Sequence, residues 1–322
     1  MEKRKAELNK KEGGKPAGSL SEKQGLIEKS LFDEKQYDTV IRIPAGEKLN
    51  EPILFERILK AGNQNNVEAS YKEAVLIVAE KESSATVVLD LKSADEASHS
   101  HSQRVTLYAG ENSRLHFVKV QRFNNATLHE DNHEAHTERN AQIQYTLVDL
   151  GAQSGKNDYT LHLEGESSRA ELKTAYLGDG ERKLQMRYTM EHWGRRTDSV
   201  IETRGVLKDR SEKDFYGSLD FKRGARKARG GERETVILLD KGVKSNTIPA
   251  LFCREEDVEG SHAASAGQID DNRLFYIMSR GFSEKEAKRL IVEASLSTVI
   301  DGLPVNELKK TVETELKRRL EL

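Results

Sequence analysis

Leu184-Gln185-Met186-Arg187-Tyr188-Thr189-Met190-Glu191 alternates apolar residues with polar or charged ones. Side chains of an extended chain point to opposite faces in turn, so this run has one inward face and one outward face. Similar runs lie on both sides of it: Val105–Tyr108, Leu115–Val120, Ile143–Val148, Tyr159–Leu163, Ala170–Tyr176, Asp198–Val206, Phe215–Phe221 and Thr235–Leu239. Earlier strands are read at Thr39–Pro44, Ile53–Phe55, Ala74–Ala79 and Ala85–Leu91. Glycines such as Gly151, Gly165, Gly178 and Gly194 fall between the runs, about a dozen residues apart. Strand–turn units at that spacing fit a sandwich, a barrel or a β-solenoid. The run continues without helical interruption to Leu239, which favours the solenoid, whose coils stack on their neighbours without limit.

Composition agrees. Of 322 residues only 36% are hydrophobic and 33% are charged, which suits a thin core with much surface. Lys plus Arg is 52, Asp plus Glu is 54 and the net charge is −2, so no large positive field exists to attract nucleic acid. The basic stretch Lys222–Arg229 reads as a solvated strand edge. No apolar run is long enough to span a membrane, and the charged N-terminus lacks the apolar core of a signal peptide. The single cysteine, Cys253, excludes an intrachain disulfide and fits a reducing compartment, so a cytoplasmic location is expected.

The pattern divides the chain into a charged segment over 1–34, a β core over 35–250 and a helical domain over 251–322. In the first, Ser21 can cap a short helix to Phe32. In the last, Asp270 caps Asn272–Arg280, with Gly281 as its stop. Ser283 and Glu286 form a capping box for a helix with Ala287, Leu290, Ile291 and Ala294 on one face, reaching Ile300. Val305–Leu320 places Leu308, Val312, Leu316 and Leu320 on a stripe.

Several residues invite a chemical reading. His129-Glu130-Asp131-Asn132-His133 matches the H-E-x-x-H zinc signature, and His136 lies nearby. That chemistry needs both imidazoles on one face of a helix, whereas this segment lies among strands, so a metal-dependent hydrolase through His129, His133 and His136 is kept as an alternative. Gly151–Asn157 is one residue short of a phosphate loop and has Asn157 after Lys156, so no ATPase activity is expected of the chain. Cys253 follows Ala250-Leu251-Phe252 and reads as a buried structural thiol. One cysteine cannot hold an iron–sulfur cluster alone. The carboxylates Asp198, Glu202, Asp209 and Asp214 read as solvated. His262 is flanked by Gly260, Ser261, Ala263 and Ala264, small neighbours that leave the imidazole open to approach. It is either a turn histidine bonded to a nearby carbonyl or a group offered to a ligand.

The block from Ser245 to Ala294, SNTIPALFCREEDVEGSHAASAGQIDDNRLFYIMSRGFSEKEAKRLIVEA, strongly resembles the SufB/SufD family of iron–sulfur cluster assembly proteins. The run that starts at His192 resembles the same family's β-helix, and the likeness extends over roughly residues 35–300. It implies a right-handed parallel β-helix with a helical N-terminal segment and a C-terminal helical domain. It also implies a non-catalytic scaffold subunit that pairs edge to edge with a SufB-like chain, or with itself, and meets a SufC-like ABC ATPase through the helical region. A transient Fe–S cluster would form at the subunit interface. SufB-type chains carry a cysteine where Val243 stands here, and an acid where Ala263 stands, while Ser261-His262-Ala263 matches the SufD type. The resemblance therefore makes His262 the candidate interface ligand to iron. Phe275, Tyr276 and Arg280 are candidates for docking the ATPase, or pack the helical domain. Reduced flavin is associated with the family's complex, and no flavin motif is present in the chain.

Overall fold

In a computed structural model, which describes residues 33–61 and 69–320, the chain is a parallel β-solenoid. The expected N-terminal helix lies outside the described residues. Among those described, sixteen strands form two eight-stranded sheets, and three α-helices follow. The first sheet contains, in order, β1 (Thr39–Ile43), β3 (Ala69–Ala79), β5 (His99–Ala109), β7 (Thr127–Thr137), β9 (Ser154–Leu163), β11 (Lys183–His192), β13 (Glu212–Phe221) and β15 (Lys244–Cys253). The second contains β2 (Ile53–Leu59), β4 (Ser84–Ser93), β6 (Arg114–Arg122), β8 (Gln142–Asp149), β10 (Arg169–Gly178), β12 (Asp198–Leu207), β14 (Ala228–Leu238) and β16 (Val258–Gly267). Odd strands pair only with odd strands and even with even, all in parallel. Each coil thus contributes one strand to each sheet, roughly thirty residues per coil, and the apparent dozen-residue repeat is half of the true one.

The alternation positions the side chains as expected. Leu184, Met186, Tyr188 and Met190 are buried, and in register they stack above Gly155, Asn157, Tyr159 and Leu161 of the preceding coil. Tyr145, Tyr159, Tyr188 and Phe215 form an aromatic column through the interior, with ring centroids 5.3–5.9 Å apart. At one corner of each coil a residue adopts positive φ: Glu82, Asn112, Asn140, Ser167, Arg196 and Lys227. Its N–H donates to a carbonyl of the next coil, as from Asn112 to Arg139 at 3.0 Å and from Asn140 to Glu166 at 3.0 Å. These corners are not the glycines, whose use is different: a Cβ on Gly165 would run into the Glu138–Arg139 backbone of the coil below.

Strands continue past the boundary expected at residue 250. Leu251–Cys253 ends β15, β16 follows, and helix begins only with α1 (Asp271–Met278), capped by Asp270. Ser283 and Glu286 form the capping box of α2 (Glu284–Ile300), and α3 (Asn306–Arg319) completes the chain's described part. Both later helices fold back onto the outer face of the second sheet. Val292, Leu296, Val299 and Ile300, with Leu308, Val312, Leu316 and Leu320, join Val118, Val148, Ala175, Leu177 and Val206 in one core. The buried stripe of α3 is the expected one. That of α2 is rotated: Ala287 is buried, but Leu290 and Ile291 are only half-buried and Ala294 is exposed. Each aliphatic side chain buried in this seam contributes about 1.5–3 kcal/mol. Leu296→Ala is expected to cost about 2–5 kcal/mol in urea unfolding, because the rigid sheet beneath cannot close the void.

His192 ends β11 inside the solenoid, stacked on Phe221 at 4.5 Å, with Thr197 Oγ1 and Ser199 Oγ at 2.7 and 2.8 Å from its ring nitrogens. Burial lowers its pKa from 6.5 to about 4. The unfolded chain therefore binds the extra proton first, and the folded state loses stability as pH falls from about 6.5 to about 4, by up to about 3 kcal/mol from this residue. Unfolding of His192→Gln measured across that window should show a correspondingly shallower loss; identical slopes would refute the assignment.

Candidate functional site

The N-terminal half of the solenoid carries a polar cluster within an otherwise apolar interior. On β7, Thr127, His129, Asp131, His133 and Ala135 point inward, while Leu128, Glu130, Asn132 and Glu134 point to solvent. Asp131 accepts from Lys119 Nζ at 2.7 Å and Gln103 Nε2 at 2.7 Å, lies 2.7 Å from His133 Nε2, and is also bonded by the Tyr159 hydroxyl. Burial would raise its pKa, but the charges of His133 and Lys119 outweigh that and hold its carboxyl well below the usual range. Burial pulls His129 well below its ordinary value, and its Nδ1 lies 3.1 Å from that of His101.

This geometry overturns the hydrolase alternative. Strand periodicity puts Glu130 on the opposite face from His129 and His133, so it cannot serve a water held between them. His136 lies outside, stacked on His162 at 4.7 Å and 3.2 Å from Glu164. The near-phosphate loop is the start of β9, and the basic stretch from Lys222 to Arg229 spans the β13–β14 corner.

The C-terminal end of the solenoid is built differently, because among the described residues no further coil covers β15 and β16. Register alone assigns their faces. The buried residues of β14 are Ala228, Gly230, Glu232, Glu234 and Val236. Gly230 pairs with Gly260, Glu232 with His262, Glu234 with Ala264 and Val236 with Ala266. His262 therefore stands mid-strand on the interior-facing side of the last coil, and it is exposed. It is not a turn histidine. On β15, Thr247, Pro249, Leu251 and Cys253 share that side, above Phe215, Gly217, Leu219 and Phe221. Cys253 is exposed, contrary to the expected burial, because β15 is an edge strand with no described coil over it. Ile248 and Phe252, on the other face, are 51% and 45% exposed.

One layer down, Lys213 donates to both oxygens of Glu234, at 2.9 and 3.0 Å, and to Thr247 Oγ1 at 2.8 Å. Thr247 and the Tyr176 hydroxyl also donate to Glu234, at 2.5 and 3.1 Å. Burial draws the Lys213 ammonium below its ordinary pKa despite this partner. Glu232, two residues before Glu234, is buried with neither oxygen hydrogen-bonded, and burial raises its pKa to about 7.

Residues 61–295 match the family described as SUF system FeS cluster assembly, SufBD core domain. The chain belongs to the SufBD family. It is 29% identical over 251 residues to the iron–sulfur cluster assembly protein SufD of Bacillus subtilis, which covers 76% of this chain and 57% of that protein. It is 25% identical to SufD of Escherichia coli over 286 residues, 88% of this chain and 66% of that protein. SufB of Bacillus subtilis is 23% identical over 282 residues, 86% of this chain and 59% of that protein. Within the SufBD family the chain is SufD-like, and it spans less than two thirds of these relatives' lengths.

In this SufBD-family chain the candidate docking residues form a second exposed feature. Helix α1 buries no residue; Phe275 and Tyr276 are 73% and 60% exposed, and Arg280 donates to the Tyr276 hydroxyl at 3.0 Å. Their packing into the helical domain is thereby ruled out. Among the described residues no three His, Cys, Asp or Glu side chains come together as a metal-holding group. No described helix is long and apolar enough to cross a membrane. Glu232, Glu234 and Lys213 were not singled out by the sequence reading, although Gly230, Glu232, Glu234 and Val236 follow the same alternation as the apolar strands. Asp198, Asp209 and Asp214 are exposed and Glu202 half-buried, paired with Arg204, as solvated carboxylates should be.

Lys213→Met would leave Glu234 buried beside Glu232 without its cation, and should cost about 3–5 kcal/mol in urea unfolding. The double variant Lys213→Met/Glu234→Leu should recover most of that loss, since it buries no orphaned charge; a single variant that loses under about 1 kcal/mol would show the pair to be dispensable.

Proposed function

We propose that this chain is the SufD-type subunit of a cytoplasmic iron–sulfur cluster assembly complex. It pairs through its open end with a SufB-like subunit, or with a second copy of itself, and through α1 with a SufC-like ABC ATPase. It is a scaffold, and ATP hydrolysis belongs to the partner chain. The observation that carries the reading is the uncovered inner side of the last coil, where His262 stands between small residues beside two free strand edges.

The chemistry follows from that placement. A strand edge offers unpaired backbone donors and acceptors, so another solenoid can extend either sheet by strand addition. Ile248, Leu251 and Phe252 supply exposed apolar surface at the same edge. His262 presents an imidazole nitrogen, a good ligand for iron, and Gly260, Ala263 and Ala264 leave room for an approaching cluster. The nascent cluster is cargo, and its thiolates come from the partner, because this chain has one cysteine. The exposed Phe275–Tyr276 pair, with Arg280 folded onto the tyrosine, has the composition of an interface anchor.

Anaerobic co-expression with SufB-like and SufC-like partners tests the reading. His262→Ala should assemble normally yet lower iron and acid-labile sulfide per complex by about tenfold or more. Unchanged contents would leave the chain a structural adaptor with no metal role. Phe275→Ala/Tyr276→Ala should weaken retention of the ATPase by about 2 kcal/mol, roughly thirtyfold in affinity, while SufB-like pairing persists.

A further inference from the structure

We infer that Glu232 and His262 together form half of a divalent-metal site at the open end of the solenoid, a carboxylate and an imidazole awaiting further ligands from whatever docks there. This rests on the reading of His262 as a metal ligand and adds a second donor from the same chain.

Three observations carry it. First, register: Glu232 and His262 are direct partners on adjacent parallel strands, and both lie on the interior-facing side. Adjacent strands stand about 4.8 Å apart, so the two side chains are neighbours that can reach one ion. Second, the state of the carboxylate: Glu232 is 4% exposed, and neither of its oxygens has a hydrogen-bond partner. Among the described carboxylates it alone has both oxygens so orphaned. Buried acids are otherwise paired or coordinate metals. The nearest cation does not serve it, because Lys213 is occupied by Glu234 and Thr247. Third, the cradle: the side chain lies across the interior against Gly217, where an added Cβ would stand 3.0 Å from Glu232 Cγ and 3.1 Å from its carboxyl carbon. An alanine at this position would press on the Glu232 side chain and shift its carboxylate by a few tenths of an ångström.

The donor set selects the cargo's metal class. Imidazole with carboxylate suits iron(II), cobalt(II) and zinc, and two protein ligands leave most of the coordination shell open. A half-site of this kind holds metal weakly alone and firmly only once a partner completes it. Glu232 would thereby couple docking to metal retention, with its burial cost relieved by the ion.

The test is a cobalt(II) titration of the full chain, followed by visible absorption and by equilibrium dialysis. Glu232→Gln, His262→Ala and Gly217→Ala are each expected to weaken cobalt(II) binding by about tenfold or more, the range in which even outer partners of metal ligands act. Glu232→Gln keeps the shape and removes a buried charge, so its thermal unfolding in the absence of metal should match or exceed the wild type's. Gly217→Ala leaves both donors in the chain and only crowds the carboxylate. Cobalt(II) should raise the wild-type unfolding temperature and not that of Glu232→Gln. Equal affinity in wild type and Glu232→Gln, or no saturable binding by the wild type into the millimolar range, would overturn the inference. In the co-expressed complex, Glu232→Gln retaining iron while His262→Ala loses it would refute Glu232 alone; both retaining it would refute the parent reading as well.

Discussion

A parallel coil cannot satisfy itself. Half of its backbone hydrogen bonds and the cover of its inner side chains must come from the coil that follows. The dependence is met throughout the interior of this solenoid, where odd strands bond to odd and even to even in unbroken register. It is not met at β15 and β16. The proposed docking surface is therefore not a cleft carved into the fold but the place where the fold's own rule goes unfulfilled, and another solenoid would be its physical complement.

The same rule explains why so many charged and polar groups are inside. Stacking places each inward position directly above its counterpart, so a polar residue can be answered by the coil above or below. Asp131 is met by Gln103 from one neighbouring coil and Tyr159 from the other, and Lys213 reaches across the interior to Glu234. Such groups are cheap to bury only as a complete set. Glu232 lies in the last covered layer opposite the exposed His262, and its orphaned oxygens mark where the set stays open.

Legibility in the sequence followed where apolar residues coincide with the inward positions. Leu184 to Met190 displayed both faces, and the caps at Asp270 and Ser283 and the stripe of α3 were read as they stand. β7 was hidden because its inward positions hold His129, Asp131 and His133, which look like a solvated face or a metal motif until register buries them. β15 and β16 were hidden for the opposite reason: uncovered strands need no large inner side chains, and Gly260, Ala264 and Ala266 supply none. The stripe of α2 was rotated because the outer valines of the second sheet, and not the helix's own amphipathicity, decide which residues are covered. His262 was singled out by its small neighbours, while Glu232 drew notice only through its partner across the strand.

The uniform register has a consequence for how the molecule comes to be ordered. Every long-range contact between coils spans nearly the same length of chain, so no pairing demands the closure of an exceptionally long loop. Order can spread from any nucleated pair of coils, one coil at a time, as in other repeat architectures. The terminal coils, each templated on one side only, should then be the weakest protected against amide exchange, and the last coil is one of them. Pairing with another solenoid would extend the same propagation across a chain boundary, making assembly the closing step of folding.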